Sequence, residues 1–129
     1  MDFRLVPDQD PHDIAAKVRG HLRDQGFDDI QVTEWSLEHP ARVDPQHRFV
    51  QRAAQAATEV YGMPALLAPM VGGSGPMYQF VTHLRAPVAT PGIGYPESRA
   101  HAPNEHFVID NFVKGTKYTA RIVERFAGG

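Results

Sequence analysis

Two aspartate–proline pairs constrain what this chain can fold into. Asp10-Pro11 and Asp44-Pro45 each stand just before apolar residues at helical spacing. An aspartate that accepts the first free N–H groups, followed by a proline whose φ is preset for the first turn, starts a helix. After Asp10, with Asp13 in the first turn, Ile14, Val18 and Leu22 recur on one face. Ala15 and Phe27 lie beside that stripe, and Gly26 suits the C-cap. After Asp44, Phe49, Val50, Ala53, Ala54, Ala57 and Val60 form a continuous face that Gly62 closes. A third aspartate, Asp110, is expected to cap a final helix with the face Phe112, Val113, Thr116, Ala120, Val123 and Ala127.

Short apolar runs between these helices read as strands. Phe3 to Val6 form the first, and Ile30 and Val32 alternate with polar neighbours as in a half-buried second. A strand this near the first residue is expected to pair with one that precedes it. Ala65 to Ala68 and Val88 to Thr90 are two more. Pro76 can open a short helix through Leu84. The first forty residues thus predict strand–helix–strand, half of a small α+β sandwich. Residues 39–46 have the composition of a linker. The remainder predicts helix–strand–helix–strand–loop–helix. That order favours parallel strands covered by helices, an α/β fold class.

Composition bounds the function. At 129 residues the chain fits one ordinary domain or pieces of two. With 42% hydrophobic and 22% charged residues it falls among soluble globular proteins. A formal charge of -2 offers no basic footprint for nucleic acid. No apolar run approaches the roughly 20 residues that span a bilayer, and the start Met1-Asp2-Phe3-Arg4 does not resemble a signal peptide. With no cysteine, a local zinc finger is excluded, and a cytoplasmic location is the expectation.

Three features carry candidate chemistry. Ser98-Arg99-Ala100-His101-Ala102-Pro103-Asn104-Glu105 places a histidine in a loop beside a proline and a carboxylate, where an imidazole can ligate a metal. The seven histidines contain no His-x-x-x-His pair, so a metal at His101 must be completed from elsewhere. Glu105 can act as a general base or simply cap the loop. Gly72-Gly73-Ser74-Gly75 stands before the short helix, where backbone N–H groups favour an anion. The alternative is a tight turn that needs positive φ. The run is not a nucleotide P-loop, because no Gly-Lys-Ser/Thr follows it, and not a Gly-x-Ser-x-Gly elbow, because position 76 is proline. Arg4 lies mid-strand between Phe3 and Leu5, with Asp2 as a solvated neighbour. Taken locally, Arg4 is a solvated arginine; its functional reading is a bidentate carboxylate clamp.

The order of these motifs resembles one family. Asp2-Phe3-Arg4-Leu5-Val6-Pro7, Gly72-Gly73-Ser74, Gly92-Ile93-Gly94-Tyr95, Ala100-His101-Ala102-Pro103-Asn104-Glu105 and Asn111-Phe112-Val113-Lys114-Gly115-Thr116-Lys117 are similar to the acetylornithine deacetylase, succinyl-diaminopimelate desuccinylase and glutamate carboxypeptidase family of di-zinc hydrolases. The resemblance implies the C-terminal part of a longer enzyme. Residues 1–38 would be the second half of a ferredoxin-like lid or dimerisation domain, 39–44 a linker, and 45–129 the closing segment of a catalytic α/β sheet domain. It also implies a metallopeptidase, deacetylase or other amidohydrolase that cleaves a small peptide or N-acyl amino acid and assembles as a homo-oligomer. His101 would ligate one of two zinc ions, other divalent metals being possible. Arg4, Gly72, Gly73 and Ser74 would bind substrate, and Asn104 and Glu105 would shape the loop. No catalytic residue lies in this stretch, so the chain alone is expected to be inactive and to hold zinc only weakly. Met70 and Val71 stand where many dipeptidase-like members carry a charge. The alternative expectation is a non-catalytic binding or oligomerisation module derived from that fold.

Overall fold

A computed structural model describes residues 1–128. The chain divides into two compact units. The first joins Met1–Val43 to Met70–Ala86; the second joins Asp44–Pro69 to the chain from Pro87 onward.

In the first unit, helix α1 spans Pro11–Asp24. Asp10 caps it, one carboxylate oxygen accepting the N–H of His12 at 2.7 Å and of Asp13 at 3.3 Å. The His12 N–H, ahead of the nearby His39 and His12 rings, holds the Asp10 carboxyl below its usual range. The helix ends in a Schellman motif. Gly26 takes φ +77° and donates to Arg23 O, while the Phe27 N–H reaches back to Leu22 O at 2.9 Å. Ile14, Ala15, Val18 and Leu22 form the half-buried stripe. Upstream, Val6 to Gln9 form a turn closed by Gln9 N–H to Val6 O, with Pro7 at its second position and Asp8 at φ +70°.

In the second unit, helices α2 (Arg48–Tyr61) and α3 (Ile109–Ala127) pack on each other. Phe49 meets Phe126 edge-on at one end, and Tyr61 meets Tyr118 edge-on at 6.0 Å toward the other, so the helices run antiparallel. Between them Arg125 bonds Gln55 and Glu59 and Arg121 reaches Glu59, while Arg121 also pairs with Glu124 of its own helix. Val50, Ala53, Ala56 and Tyr118 are the buried apolar side chains. Burial, then the neighbouring Tyr61, pushes the Tyr118 hydroxyl up.

The expected α/β fold is corrected here. Among the described residues there is no strand, so neither a catalytic sheet nor a ferredoxin-like lid is formed. Phe3–Val6, Ile30–Val32, Ala65–Ala68 and Val88–Thr90 lie outside any ladder. A strand is held by hydrogen bonds to a neighbouring strand, and no two of these segments exchange them. Several of their apolar residues stay open, Phe3 being 51% exposed and Leu66 96%, while Leu5, Leu67 and Val88 are half-buried.

Helix boundaries and faces also shift. Asp44 accepts the Gln46 N–H at 2.8 Å, which makes a turn instead of a cap, and α2 starts at Arg48 with His47 Nδ1 as its cap. Val108, not Asp110, precedes α3; Asp110 lies in its first turn and pairs with Lys114. The inner face of α3 is Asn111, Gly115, Tyr118, Ile122 and Arg125, not Phe112, Val113 and Val123, which are exposed. Residues 77–83 are helical, with a π-helical stretch over Gln79–His83. No helix among the described residues is long and apolar enough to cross a membrane.

The Glu59 network carries a pH signature. The Arg125 hydrogen bond holds the Glu59 carboxyl below its ordinary 4.5. A carboxyl lowered on folding stabilises above its unfolded value, and that contribution is lost as pH falls through the folded one. Thermal melts of Glu59→Gln are therefore expected to show a shallower acid loss of stability than the parent below about pH 4.5. Parallel acid curves would show that Glu59 does not contribute.

Candidate functional site

The extended segment before α1 presents Arg4 to the glycine loop of the same unit. Arg4 Nη1 donates to Ser74 Oγ at 2.7 Å, a contact between residues 70 positions apart. Arg4 Nη2 pairs with Asp2 Oδ2 at 2.6 Å. The Arg4 and Asp2 side chains are 48% and 67% exposed, so the guanidinium fork is reachable from solvent. A carboxylate arriving there competes with Asp2 for the same N–H groups.

None of Gly72, Gly73 and Gly75 takes a positive φ, so these glycines do not serve a left-handed turn. A Cβ at 72 would meet nothing within 4 Å, which leaves open space beside the loop backbone. Ser74, Gly75, Pro76 and Gln79 then form one wall of a cavity of about 350 Å³, whose other wall is Ser36 and Glu38. His39 stacks on Tyr78 at 4.7 Å and 22°, which pins the two walls together. Sequence reasoning passed over Ser36, Glu38, His39, Tyr78 and Gln79. Ser36, Glu38 and His39 lie at the edge of a linker, and Tyr78 and Gln79 in a helical stretch too short to show a period.

His101, Asn104 and Glu105 belong to the second unit. The loop around them is tightly wound: Arg99, His101 and Asn104 take φ of 55°, 62° and 63°. Glu105 Oε2 accepts the His101 N–H at 3.3 Å, and His106 N–H reaches Ser98 O. The His101 imidazole is exposed and has no hydrogen-bond or ion-pair partner among the described residues. His106, which reads as a plain surface residue in sequence, clips the loop instead. Its Nδ1 donates to Asn104 O at 2.9 Å, and its Nε2 lies within hydrogen-bond distance, 2.8 Å, of the Tyr95 hydroxyl.

A zinc centre that activates water needs about three protein ligands. Among the described residues no group of three or more His, Cys, Asp or Glu is placed to hold a metal. These residues therefore do not fit a zinc ion by themselves.

The model of peptidase family M20/M25/M40 matches residues 4–125. The chain belongs to this family. The M20 chain is also similar to a solved M20 family metallo-carboxypeptidase, Sso-CP2 from Sulfolobus solfataricus, with 31% identity and a TM-score of 0.80. That likeness covers 95% of this chain and 28% of the other, so the M20 chain spans little more than a quarter of that relative's length. A comparison with curated proteins found no match.

Proposed function

We propose that this M20 chain is a non-catalytic module that binds the carboxylate of a small peptide or N-acyl amino acid through Arg4 and the Gly72-Gly73-Ser74 loop. The observation that carries the reading is the Arg4–Ser74 hydrogen bond. It fixes one arm of an exposed guanidinium while the other is held only by a solvated aspartate. The absence of a three-ligand cluster among the described residues also favours binding over hydrolysis. In this reading Asn104 and Glu105 shape the loop of the second unit, and the exposed apolar residues of α3 offer a surface for assembly with a second copy.

A second reading is that the chain is the C-terminal part of an active zinc hydrolase, with His101 as one ligand. The short span against the metallo-carboxypeptidase favours it. Hydrolysis separates the two. Supplied with zinc, the purified chain is expected to release no product from dipeptides or N-acetyl amino acids. Zinc-dependent release that disappears in His101→Ala would contradict the module and establish the hydrolase.

A further inference from the structure

Arg4 and Ser74 are both exposed, so water competes for the hydrogen bond between them and it does not fix the site unaided. Their two segments are tied at a second place. From Arg4 the chain runs through the turn that Gln9 closes on Val6, directly into the Asp10 cap and His12 at the start of α1. From Ser74 it runs into Pro76, whose carbonyl accepts the Gln79 N–H at 3.1 Å, so Tyr78 lies within the turn that leaves the glycine loop. His39 stands between these two ends. Its ring meets the His12 ring at 6.4 Å and 62°, and it stacks on Tyr78 at 4.7 Å and 22°. Tyr78 in turn meets His83 edge-on at 6.0 Å. The two central rings, His39 and Tyr78, are half-buried, whereas His12 and His83 are exposed. The stack at the centre is thus the better shielded part of this ring cluster.

We propose that His39 is a positioning residue for the carboxylate site: its ring couples the start of α1 to Tyr78, and so sets Arg4 against the Gly72-Gly73-Ser74 loop. The inference rests on the carboxylate reading of Arg4. His39 itself touches no ligand in this account. It acts because the Arg4 segment and the Ser74 turn each lie one short hydrogen-bonded turn from a ring that His39 contacts. Without that ring the guanidinium and the loop N–H groups lose a common reference. A carboxylate that must meet both then bears the cost of ordering them. Stacking of two rings sets the size of the effect, about two- to ten-fold in affinity.

The test titrates the full chain with N-acetylglycine and reads affinity by NMR in the parent, His39→Ala, His39→Phe, Tyr78→Ala and Arg4→Ala. His39→Ala is expected to weaken binding about two- to ten-fold, and His39→Phe, which keeps a ring on Tyr78, to recover most of it. Tyr78→Ala removes the same stack from the other side and gives the same reading should His39→Ala fail to fold. The double variant His39→Ala, Tyr78→Ala is expected to lose little more than either single one, because the two share one contact. Cross-peaks between the His39 and Tyr78 rings in the parent supply a reading that needs no variant. Their absence, parent-like affinity in His39→Ala and Tyr78→Ala, or equal losses in His39→Ala and His39→Phe would overturn the role of His39. If Arg4→Ala still weakens binding in that case, the carboxylate reading stands without His39. If the parent does not bind, or Arg4→Ala binds as the parent does, the carboxylate reading fails and the role of His39 falls with it.

Discussion

Gly115→Val is expected to destabilise the second unit by about 2 kcal/mol, lowering its melting temperature by roughly 6–10 °C. Gly115 is buried on the inner face of α3, and a Cβ built there would collide with Cγ2 of Ile93. That methyl sits on a branched carbon, so it cannot swing aside like the tip of a long chain. Replacing glycine within a helix ordinarily gains stability, by at most about 1 kcal/mol and less for a β-branched residue. The overpacking cost of about 1–3 kcal/mol is larger and sets the sign. The double variant Gly115→Val, Ile93→Ala supplies the control. Relief of the collision predicts a favourable coupling of about 0.5–3 kcal/mol between the two sites. Strict additivity, or a stable Gly115→Val single variant, would show that the close approach does not constrain α3.

How much of this was legible beforehand follows from where each signal resides. Helix α1 was legible because its start and end are local: Asp10 and Pro11 set one, Gly26 the other. Helix α2 was legible as a helix, but its start was not. The Asp44 carboxylate spends itself on Gln46 N–H, and only the fold decides between a turn and a cap. The face of α3 was misread because Phe112, Val113 and Val123 outweigh Asn111, Gly115 and Arg125 in any hydrophobic count. The inner positions are chosen instead by close approach at Gly115 and by the ion pairs of Arg125 with α2. The strands failed for a different reason. Alternation and β-branching describe a segment, whereas a ladder needs a partner, and none forms among the described residues. The Arg4–Ser74 contact was invisible locally, since its residues lie 70 positions apart. Local reading offers each as a separate anion site, and only the resemblance in motif order gives both a role in binding one substrate.

Arg4→Ala is expected to weaken binding of an N-acetyl amino acid about ten- to thirty-fold. A hydrogen bond to a charged group contributes about 1.5–3 kcal/mol, and the exposure of Arg4 places it at the low end. Ser74→Ala should cost less, because the serine orients the guanidinium and does not carry the charge. Asp2→Asn should act in the opposite direction. It removes the carboxylate that already occupies Nη2 and is expected to tighten binding about two- to five-fold, the range of an exposed ion pair. Isothermal titration of the four proteins checks the set. Weaker binding in Asp2→Asn would make Asp2 a support for Arg4, not its competitor.

The central claim is that this M20 chain recognises a carboxylate at Arg4. The most direct measurement titrates the chain with N-acetylglycine and, separately, with its primary amide, which keeps the shape and removes the charge. The account predicts saturable NMR shifts for the acid, centred on Arg4 and the Gly72–Gly75 loop, and little or no response to the amide. Equal responses to both, or acid-induced shifts confined to residues remote from Arg4 and Ser74, would contradict it.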